Sequence, residues 1–250
     1  MLNKLLIFVP IAIALEYVVP QQHLWIFIAA ALAVLPLAGW MSEATEQLAE
    51  KTGEGIGGLL NATFGNAAEL IIAIAALRAG MHDVVKASIA GSIVGNILLV
   101  LGAAMLAGGI RHHDQHYNAS AARSEATLLM LAAIALILPA AYNRLVVAQS
   151  PEDHQLHFLS VSISVVLLAA YLLFLVFSLI THKMLFVGSA ATPTPDTEEK
   201  HSWSTKKSLL ILAAATAAIA WVSEILVGAI EPAARTIGLS NVFVAVFVGV

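Results

Sequence analysis

The sequence of 250 residues is strongly apolar, with 60% hydrophobic residues, 11% charged residues and a mean hydropathy of +0.88. This composition lies far outside the balance of soluble proteins and predicts an integral membrane protein. The net charge of −4 is small and scattered, which argues against a nucleic-acid partner. The sequence contains no cysteine, which excludes disulfides, thiolate catalysis and thiolate metal sites within it.

Apolar runs predict eight membrane segments, because about 20 such residues are needed to cross the hydrocarbon core. They cover residues 5–19, 24–41, 55–77, 87–110, 126–142, 158–180 and 208–228, and a last run begins near Leu239. The first run is short and contains Pro10 and Glu16, so it fits either the apolar region of a signal peptide or a retained helix. We favour the retained helix, since the second run follows almost at once. Residues 188–207 combine prolines, small residues and charges, which predicts a polar linker.

The distribution of lysine and arginine predicts the orientation of these segments. With the N-terminus in the cytoplasm, eight of the 12 basic residues fall in cytoplasmic segments and four lie outside. The positive-inside rule therefore favours a cytoplasmic N-terminus and a cytoplasmic linker.

The sequence also repeats itself at an offset of 181 residues. Four residues of WMSEATEQLAE recur at this spacing in WVSEILVGAIE, and they pair as Trp40 with Trp221, Ser42 with Ser223, Glu43 with Glu224, and Glu50 with Glu231. Five predicted segments separate the two copies, and an odd number inverts the second copy in the membrane. Inverted repeats that meet at a midplane site are typical of secondary transporters.

The second copy reaches Val250 soon after its last apolar run begins. The run from residue 239 to residue 250 is too short to span a bilayer. We interpret the chain as a fragment whose second intramembrane carboxylate lies just past Val250. A natural half-transporter completed by a partner chain is the alternative.

A carboxylate and two asparagines lie inside the third apolar run, GGLLNATFGNAAELIIAIAALRAG. These residues are Glu69, Asn61 and Asn66. An ionisable side chain at bilayer depth is disfavoured by roughly 2.5 kcal/mol or more, so it usually marks an ion, proton or substrate path. Gly65 just ahead of the carboxylate lets the helix open, so that backbone carbonyl oxygens become available as ligands.

This run, the preceding TEQLA and the following SIAGSIVGNILLVLG resemble the first repeat of the cation/proton exchanger branch of the calcium/cation antiporter superfamily. The resemblance is strong over residues 41–102. It implies an all-α polytopic membrane protein with discontinuous helices, built from an extra first helix and two inverted five-helix repeats. On this pattern, residues 1–20 are the first helix, 21–187 the first repeat, 188–207 a cytoplasmic linker and 208–250 the start of the second repeat.

The resemblance also implies a Ca²⁺ site. Glu69 corresponds to the glutamate that shares the ion with its counterpart from the other repeat. Gly65 and Asn66 correspond to the unwound segment that offers carbonyl oxygens, and Ser92 and Asn96 match the second motif of the family. The counterpart glutamate is absent from this sequence.

Three glutamates of the second helix have a spacing of three and four residues, which predicts one helical face at its cytoplasmic end. For Glu50, beside Lys51, we favour a solvated helix end. The family pattern implies that Glu46, within TEQLA, is a proton-coupling or ion-access carboxylate. For Glu43 and Glu224 the recurrence suggests the same role, with a solvated helix end as an equal alternative.

The predicted function is the exchange of Ca²⁺ for H⁺ across a membrane, with Ca²⁺ as the transported substrate and no cofactor. Ca²⁺ prefers six to eight hard oxygen ligands. At bilayer depth a carboxylate tends to take up a proton when the metal leaves, because apolar surroundings disfavour its charge. Na⁺-coupled exchange and a cation channel are the alternatives. An enzyme is not expected, since Ser92 has no histidine or lysine at bilayer depth to activate it. The resemblance implies the plasma membrane in a bacterium or the vacuolar membrane in a eukaryote.

Overall fold

The computed structural model describes residues 2–52, 54–145, 155–186 and 203–248, and these ranges contain helices and no β-strand. The α-helices are α1 (Phe8–Val18), α2 (His23–Thr52), α3 (Glu54–Phe64), α4 (Ala67–Arg78), α5 (His82–Gly95), α6 (Leu101–Arg111), α7 (Ala119–Leu145), α8 (Gln155–Val176), α9 (Thr205–Ile237) and α10 (Asn241–Val248). Two π-helical segments, Asn96–Val100 and Phe177–Thr181, continue α5 and α8, and short 3-10 helices cover Leu2–Ile7 and Lys183–Leu185.

The described helices match the predicted membrane segments. Five continuous helical stretches are long and apolar enough to cross a membrane, namely α2, α5 with α6, α7, α8 with its π-helical segment, and α9. Helices α3 and α4 together qualify as a sixth span, which is bent by 44°. The remaining two predicted runs correspond to α1 and α10. The prediction of an all-α polytopic membrane protein with a discontinuous helix is confirmed.

Helix α2 continues beyond the predicted apolar run because its buried face continues. Ala44 and Leu48 are buried, whereas Glu43, Glu46 and Glu50 are exposed on the same helix. The spacing of about four residues keeps one face against protein while the carboxylates face away from it. The predicted segment ends where charged residues begin in the sequence. The helix in the structure continues to Thr52, just past the last buried residue.

Helix α9 begins inside the range that was predicted as a linker. Residues 188–202 lie outside the described ranges. Ser204 caps the helix, since its hydroxyl oxygen accepts a hydrogen bond from the Lys207 backbone N–H at 3.2 Å. Serine is among the preferred N-cap residues because it satisfies an amide that has no partner within the helix. The last three residues of the predicted linker therefore form the first turn of α9.

The described chain divides into two compact units, residues 1–114 with 199–250 and residues 115–198. In the first unit, α2 and α9 pack along each other. Gln47 near the end of α2 contacts Trp203 just before α9, and Met41 contacts Thr216. Late residues of α2 therefore meet early residues of α9, so the two helices are antiparallel. The two copies of the repeat lie on these helices, and an antiparallel pair is the arrangement that inversion of the second copy requires.

The second unit contains α7 and α8, which pack against each other. Its end carries an aromatic cluster in which the Phe177 and Phe186 ring centroids are 5.9 Å apart and those of Phe174 and Phe186 are 5.8 Å apart. None of the described residues of α7 or α8 is fully buried. Such apolar, exposed helices are typical of segments that face lipid.

Candidate functional site: a broken helix with an intramembrane carboxylate

The third span is broken where the glycine and asparagine motif lies. Helix α3 ends at Phe64 and α4 begins at Ala67, so Gly65 and Asn66 form the break. The Gly65 N–H donates to the Asn61 carbonyl oxygen at 2.9 Å. A Cβ atom at Gly65 would lie 2.6 Å from that same carbonyl oxygen, closer than real Cβ atoms come to any heavy atom. The break therefore requires glycine for lack of space.

Glu69 is the third residue of α4, one turn after the break. Its side chain is exposed and makes no hydrogen bond or ion pair with any other described residue. Asn66 is the N-cap residue, and its carbonyl oxygen accepts from the Leu70 N–H at 3.1 Å. The carboxylate thus lies on the first turn of a short helix, and no described lysine, arginine or histidine forms an ion pair with it.

Two helix ends of opposite partial charge meet at this break. The carbonyl-rich end of α3 carries partial negative charge, and the amide-rich start of α4 carries partial positive charge. Carbonyl oxygens from α3 can therefore bind a cation, and the first turn of α4 places the Glu69 carboxylate close to them. This combination supplies hard oxygen ligands on one side and a full negative charge on the other.

The neighbouring helix α5 carries the second polar motif. The Asn96 side-chain nitrogen donates to the Ser92 hydroxyl at 3.4 Å, so the structure brings these two residues together. Helix α4 packs against both α5 and α9. Asn96 also begins the π-helical segment Asn96–Val100. Such bulges shift backbone carbonyl groups out of the regular ladder and occur frequently at functional sites.

The carboxylates of the repeat lie toward opposite ends of the antiparallel pair α2 and α9. Glu43 and Glu46 are exposed near the end of α2, next to the beginning of α9. Glu224 lies further along α9, and its carboxylate is 3.8 Å from the Arg78 guanidinium at the end of α4. The side chains of Arg78 and Glu224 are 76% and 65% exposed, so their ion pair contributes little to stability. Among the described residues, no hydrogen bond joins Glu43 or Glu224 to Glu69.

One polar cluster was not predicted from the sequence. The backbone N–H of Trp203 donates to the Gln47 side-chain oxygen at 3.0 Å, and the Lys51 ammonium group donates to the Trp203 backbone carbonyl oxygen. The Lys207 ammonium group lies 4.5 Å from the centre of the Trp203 ring, which is cation–π geometry. This Trp203 cluster joins the end of α2 to the start of α9. The four-residue spacing of Gln47 and Lys51 places both side chains on one face of α2. It does not predict that this face contacts Trp203.

Among the residues that the structure describes, no group of three or more histidine, aspartate and glutamate side chains could hold a metal ion. Glu69 is therefore not part of a cluster of three or more such side chains within the described ranges. A site without such a cluster has fewer anionic ligands than the Ca²⁺ sites that bind most tightly.

Comparison with known proteins identifies the family. The sequence profile of the sodium/calcium exchanger protein family matches residues 22–180. A Ca²⁺/H⁺ antiporter from Synechocystis is 41% identical over 259 residues, covering 98% of this chain and 68% of that protein. The Ca²⁺/H⁺ antiporter ChaA of Bacillus subtilis is 38% identical and covers 87% of this chain and 60% of its own length. Vacuolar cation/proton exchanger 2 from Oryza sativa is 37% identical, with 98% and 57% covered.

A solved structure agrees with these sequence relatives. The structure of native YfkE superposes with a TM-score of 0.76 at 30% sequence identity, covering 100% of this chain and 69% of that one. The similarity therefore extends over the broken helix, the paired long helices and the second unit. The chain belongs to the sodium/calcium exchanger protein family.

Proposed function

We propose that this protein is a secondary active transporter that exchanges Ca²⁺ for H⁺ across a membrane. The observation that carries the proposal is the break at Gly65 and Asn66, with Glu69 one turn later inside an apolar span. Discontinuous helices that present opposite helix ends to a substrate are the usual binding device of secondary transporters. The relatives named as Ca²⁺/H⁺ antiporters support the identity of both ions.

The proposed Ca²⁺ ligands come from the broken helix and from α5. Glu69 provides the charge, and backbone or side-chain oxygens of Gly65 and Asn66 provide neutral ligands beside it. Ser92 and Asn96, which are already in contact, supply further oxygens from the neighbouring helix. Hard oxygen donors in flexible geometry suit Ca²⁺ better than softer metals. Ca²⁺ is in this proposal a transported substrate that must also be released.

Proton coupling follows from competition for the same carboxylates. In this scheme a proton replaces Ca²⁺ on the carboxylate, so that the negative charge is balanced in both states of the transport cycle. A second glutamate from the second repeat would complete the pair, and two protons would then replace one Ca²⁺ without a net change of charge in the site. We propose that the segment following α10 supplies this second carboxylate.

The proposed organisation assigns residues 1–20 to an accessory helix, 21–187 to the first repeat, 188–207 to a cytoplasmic linker and 208–250 to the start of the second repeat. With a cytoplasmic N-terminus, α2 ends in the cytoplasm and α9 runs outward. Glu43 and Glu46 then lie at the inner side, where they attract cations or relay protons. Glu224 has the corresponding role near the outer side, since its helix runs in the opposite direction.

The test is transport by the purified full-length protein in lipid vesicles with an acidic interior and Ca²⁺ outside. We expect Ca²⁺ to accumulate against its gradient while protons leave, as reported by a Ca²⁺ tracer and an internal pH dye. Ca²⁺ accumulation that is driven by an imposed sodium gradient and does not depend on the pH gradient would favour Na⁺-coupled exchange. Downhill Ca²⁺ flux that carries current and never accumulates would favour a channel and would reject the proposal.

A further inference from the structure

An apolar groove lies between the N-terminal 3-10 helix, α2 and α9. Its volume is about 390 Å³, and all the residues that line it are apolar. The indole N–H of Trp40, the only polar side-chain atom in this lining, donates to the Asn3 side-chain oxygen at 2.9 Å. The lining of this α2–α9 groove includes Leu6, Leu37, Trp40, Ile211, Ala214 and Ala218. The groove therefore suits an apolar ligand.

The groove has a basic end. Along α9, Lys207 precedes the groove residues Ile211 and Ala214 by four and seven residues, so all three share one helical face. Along α2, Lys51 follows Trp40 by 11 residues, which is about three helical turns and places both on one face. Because α2 and α9 are antiparallel, the two lysines lie at the same end of the groove.

Both lysines contact Trp203. The Lys51 ammonium group donates to its backbone carbonyl oxygen, and the Lys207 ammonium group lies 4.5 Å from its ring centre. Lys206 adds a third exposed positive charge beside them. Within the described ranges, no carboxylate forms an ion pair with any of these three lysines. A lysine ammonium group has three donors, so Lys51 and Lys207 retain donors for an anion.

This end of the groove coincides with a boundary between apolar and charged residues on both helices. On α9, the exposed Leu209 and Leu210 directly follow the lysines and Ser208. On α2, Trp40 lies three residues before Glu43, the first carboxylate of that helix. Tryptophan and lysine side chains are enriched beside apolar segments at membrane surfaces. An anion between the lysines would therefore lie at the membrane surface, and the groove would lie at the depth of the acyl chains.

We propose that the α2–α9 groove binds an anionic phospholipid of the surrounding leaflet, with its phosphate between Lys51 and Lys207 and one acyl chain along Ala214. Charge complementarity selects this occupant, because an uncharged apolar ligand leaves the lysines without an anion and a soluble anion leaves the groove unfilled. Lys51 belongs to α2 and Lys207 to α9, so the bound lipid joins the two long helices at this end. Glu69 does not line the groove, so this site is separate from the proposed cation site.

The experiment titrates the full-length protein in detergent with phosphatidylglycerol that carries bromine atoms on an acyl chain, because bromine quenches the fluorescence of a tryptophan that it touches. Trp40 and Trp203 are retained as reporters, and every other tryptophan is replaced by phenylalanine. We expect saturable quenching, at a lower lipid concentration than with brominated phosphatidylcholine. Lys51→Gln combined with Lys207→Gln should raise the half-saturating concentration about thirtyfold, since each lysine near an anionic lipid contributes about fivefold.

Matched variants separate the headgroup contact from the acyl-chain contact. Arg78→Gln combined with Lys86→Gln also removes two exposed positive charges, but beside Glu224 and Glu231 of α9 and away from Lys207, so binding should match the parent protein. Ala214→Leu fills the groove and keeps the lysines, and it should weaken binding about fivefold or more.

Ala217→Leu is the control for Ala214→Leu, because it adds the same side chain at an exposed position of α9 outside the groove. It should bind like the parent protein. Equal half-saturation by the two brominated lipids would show that the headgroup is not recognised and would overturn the proposal. Absence of saturable quenching would show that protein covers the groove and would also overturn it. If the double lysine variant fails to fold, equal binding by Ala214→Leu and Ala217→Leu would have the same consequence.

Discussion

Replacement of Glu69 by glutamine is the most direct perturbation of the proposed site, because it keeps the shape of the side chain and removes its charge. Glu69 is the only acidic residue of α3 after its first position and of all of α4. The variant therefore leaves the first-repeat half of the site with neutral oxygens alone. A Ca²⁺ ion held there would have to be bound by carbonyl, amide and hydroxyl groups.

The exposure of Glu69 sets a lower limit on the size of the effect. Two unit charges 4 Å apart in water interact with about 1 kcal/mol, and the double charge of Ca²⁺ raises this to about 2 kcal/mol. That energy corresponds to a loss of about thirtyfold in affinity. The interaction strengthens when the rest of the transporter excludes water from the site, since a lower effective dielectric constant multiplies the same Coulomb term. We therefore expect kcat/KM for Ca²⁺ to fall by at least about thirtyfold.

The assay is initial Ca²⁺ uptake into acid-loaded vesicles, normalised to the amount of folded protein. Glu16→Gln is the matched control, because Glu16 is also an exposed carboxylate within an apolar helix but lies in α1, outside the broken helix that carries Glu69. The control should transport at the wild-type rate. If uptake by Glu69→Gln stays within about threefold of the wild type, the loss is smaller than removal of the charge predicts. That result would refute the assignment of Glu69 as a Ca²⁺ ligand.

Three further predictions follow from the same structure. Gly65→Ala should lower the free energy of unfolding by about 1–3 kcal/mol, because its Cβ would meet the Asn61 carbonyl oxygen at 2.6 Å. Gly228→Ala, with nothing within 4 Å, should not lower it; thermal unfolding compares the two. Acidifying the Ca²⁺ side should raise the apparent KM for Ca²⁺, because protons compete for the carboxylates, and uptake rates at two pH values test this. Ser223→Ala should leave Tm unchanged or higher, since the buried Ser223 hydroxyl has no hydrogen-bond partner among the described residues, whereas a lower Tm would reveal a hidden partner.

The broken helix and its carboxylate could be predicted from the sequence because their causes are local. Glu69 is easily recognised as a charged residue among apolar ones. The glycine four residues before it indicates where the helix can open. The structure has its break at Gly65 and Asn66, as expected. The ends of α2 and α9 could not be found in the same way. Where these helices begin and end depends on a buried apolar face that continues along stretches that also carry charged residues. Mean hydropathy combines the buried and exposed faces, so it does not detect the buried one.

Contacts between distant segments left almost no trace in the sequence. The Trp203 cluster joins residues separated by about 150 positions, and neither Gln47 nor Lys51 differs from an ordinary polar residue at a helix end. A Cβ atom at Gly91 of α5 would lie 2.4 Å from the Val246 carbonyl oxygen of α10. A glycine in an apolar run permits such a close approach but does not indicate which helix it contacts. The π-helical segment at Asn96 arises from backbone geometry and has no motif of its own.

The internal repeat predicts where a side chain lies along its helix but not whether that side chain is buried. Equal spacing predicted that Ser42 and Ser223 hold equivalent positions on two helices of opposite direction, and the antiparallel pair of α2 and α9 agrees with this. Their surroundings differ, because Ser42 is exposed whereas Ser223 is completely buried. Helix α9 packs against α1, α2 and α4, so its neighbours include α1, which lies outside both repeats in the proposed organisation. A repeat therefore determines the position of a side chain along its helix, and the packing of the other helices determines whether that side chain meets water, lipid or protein.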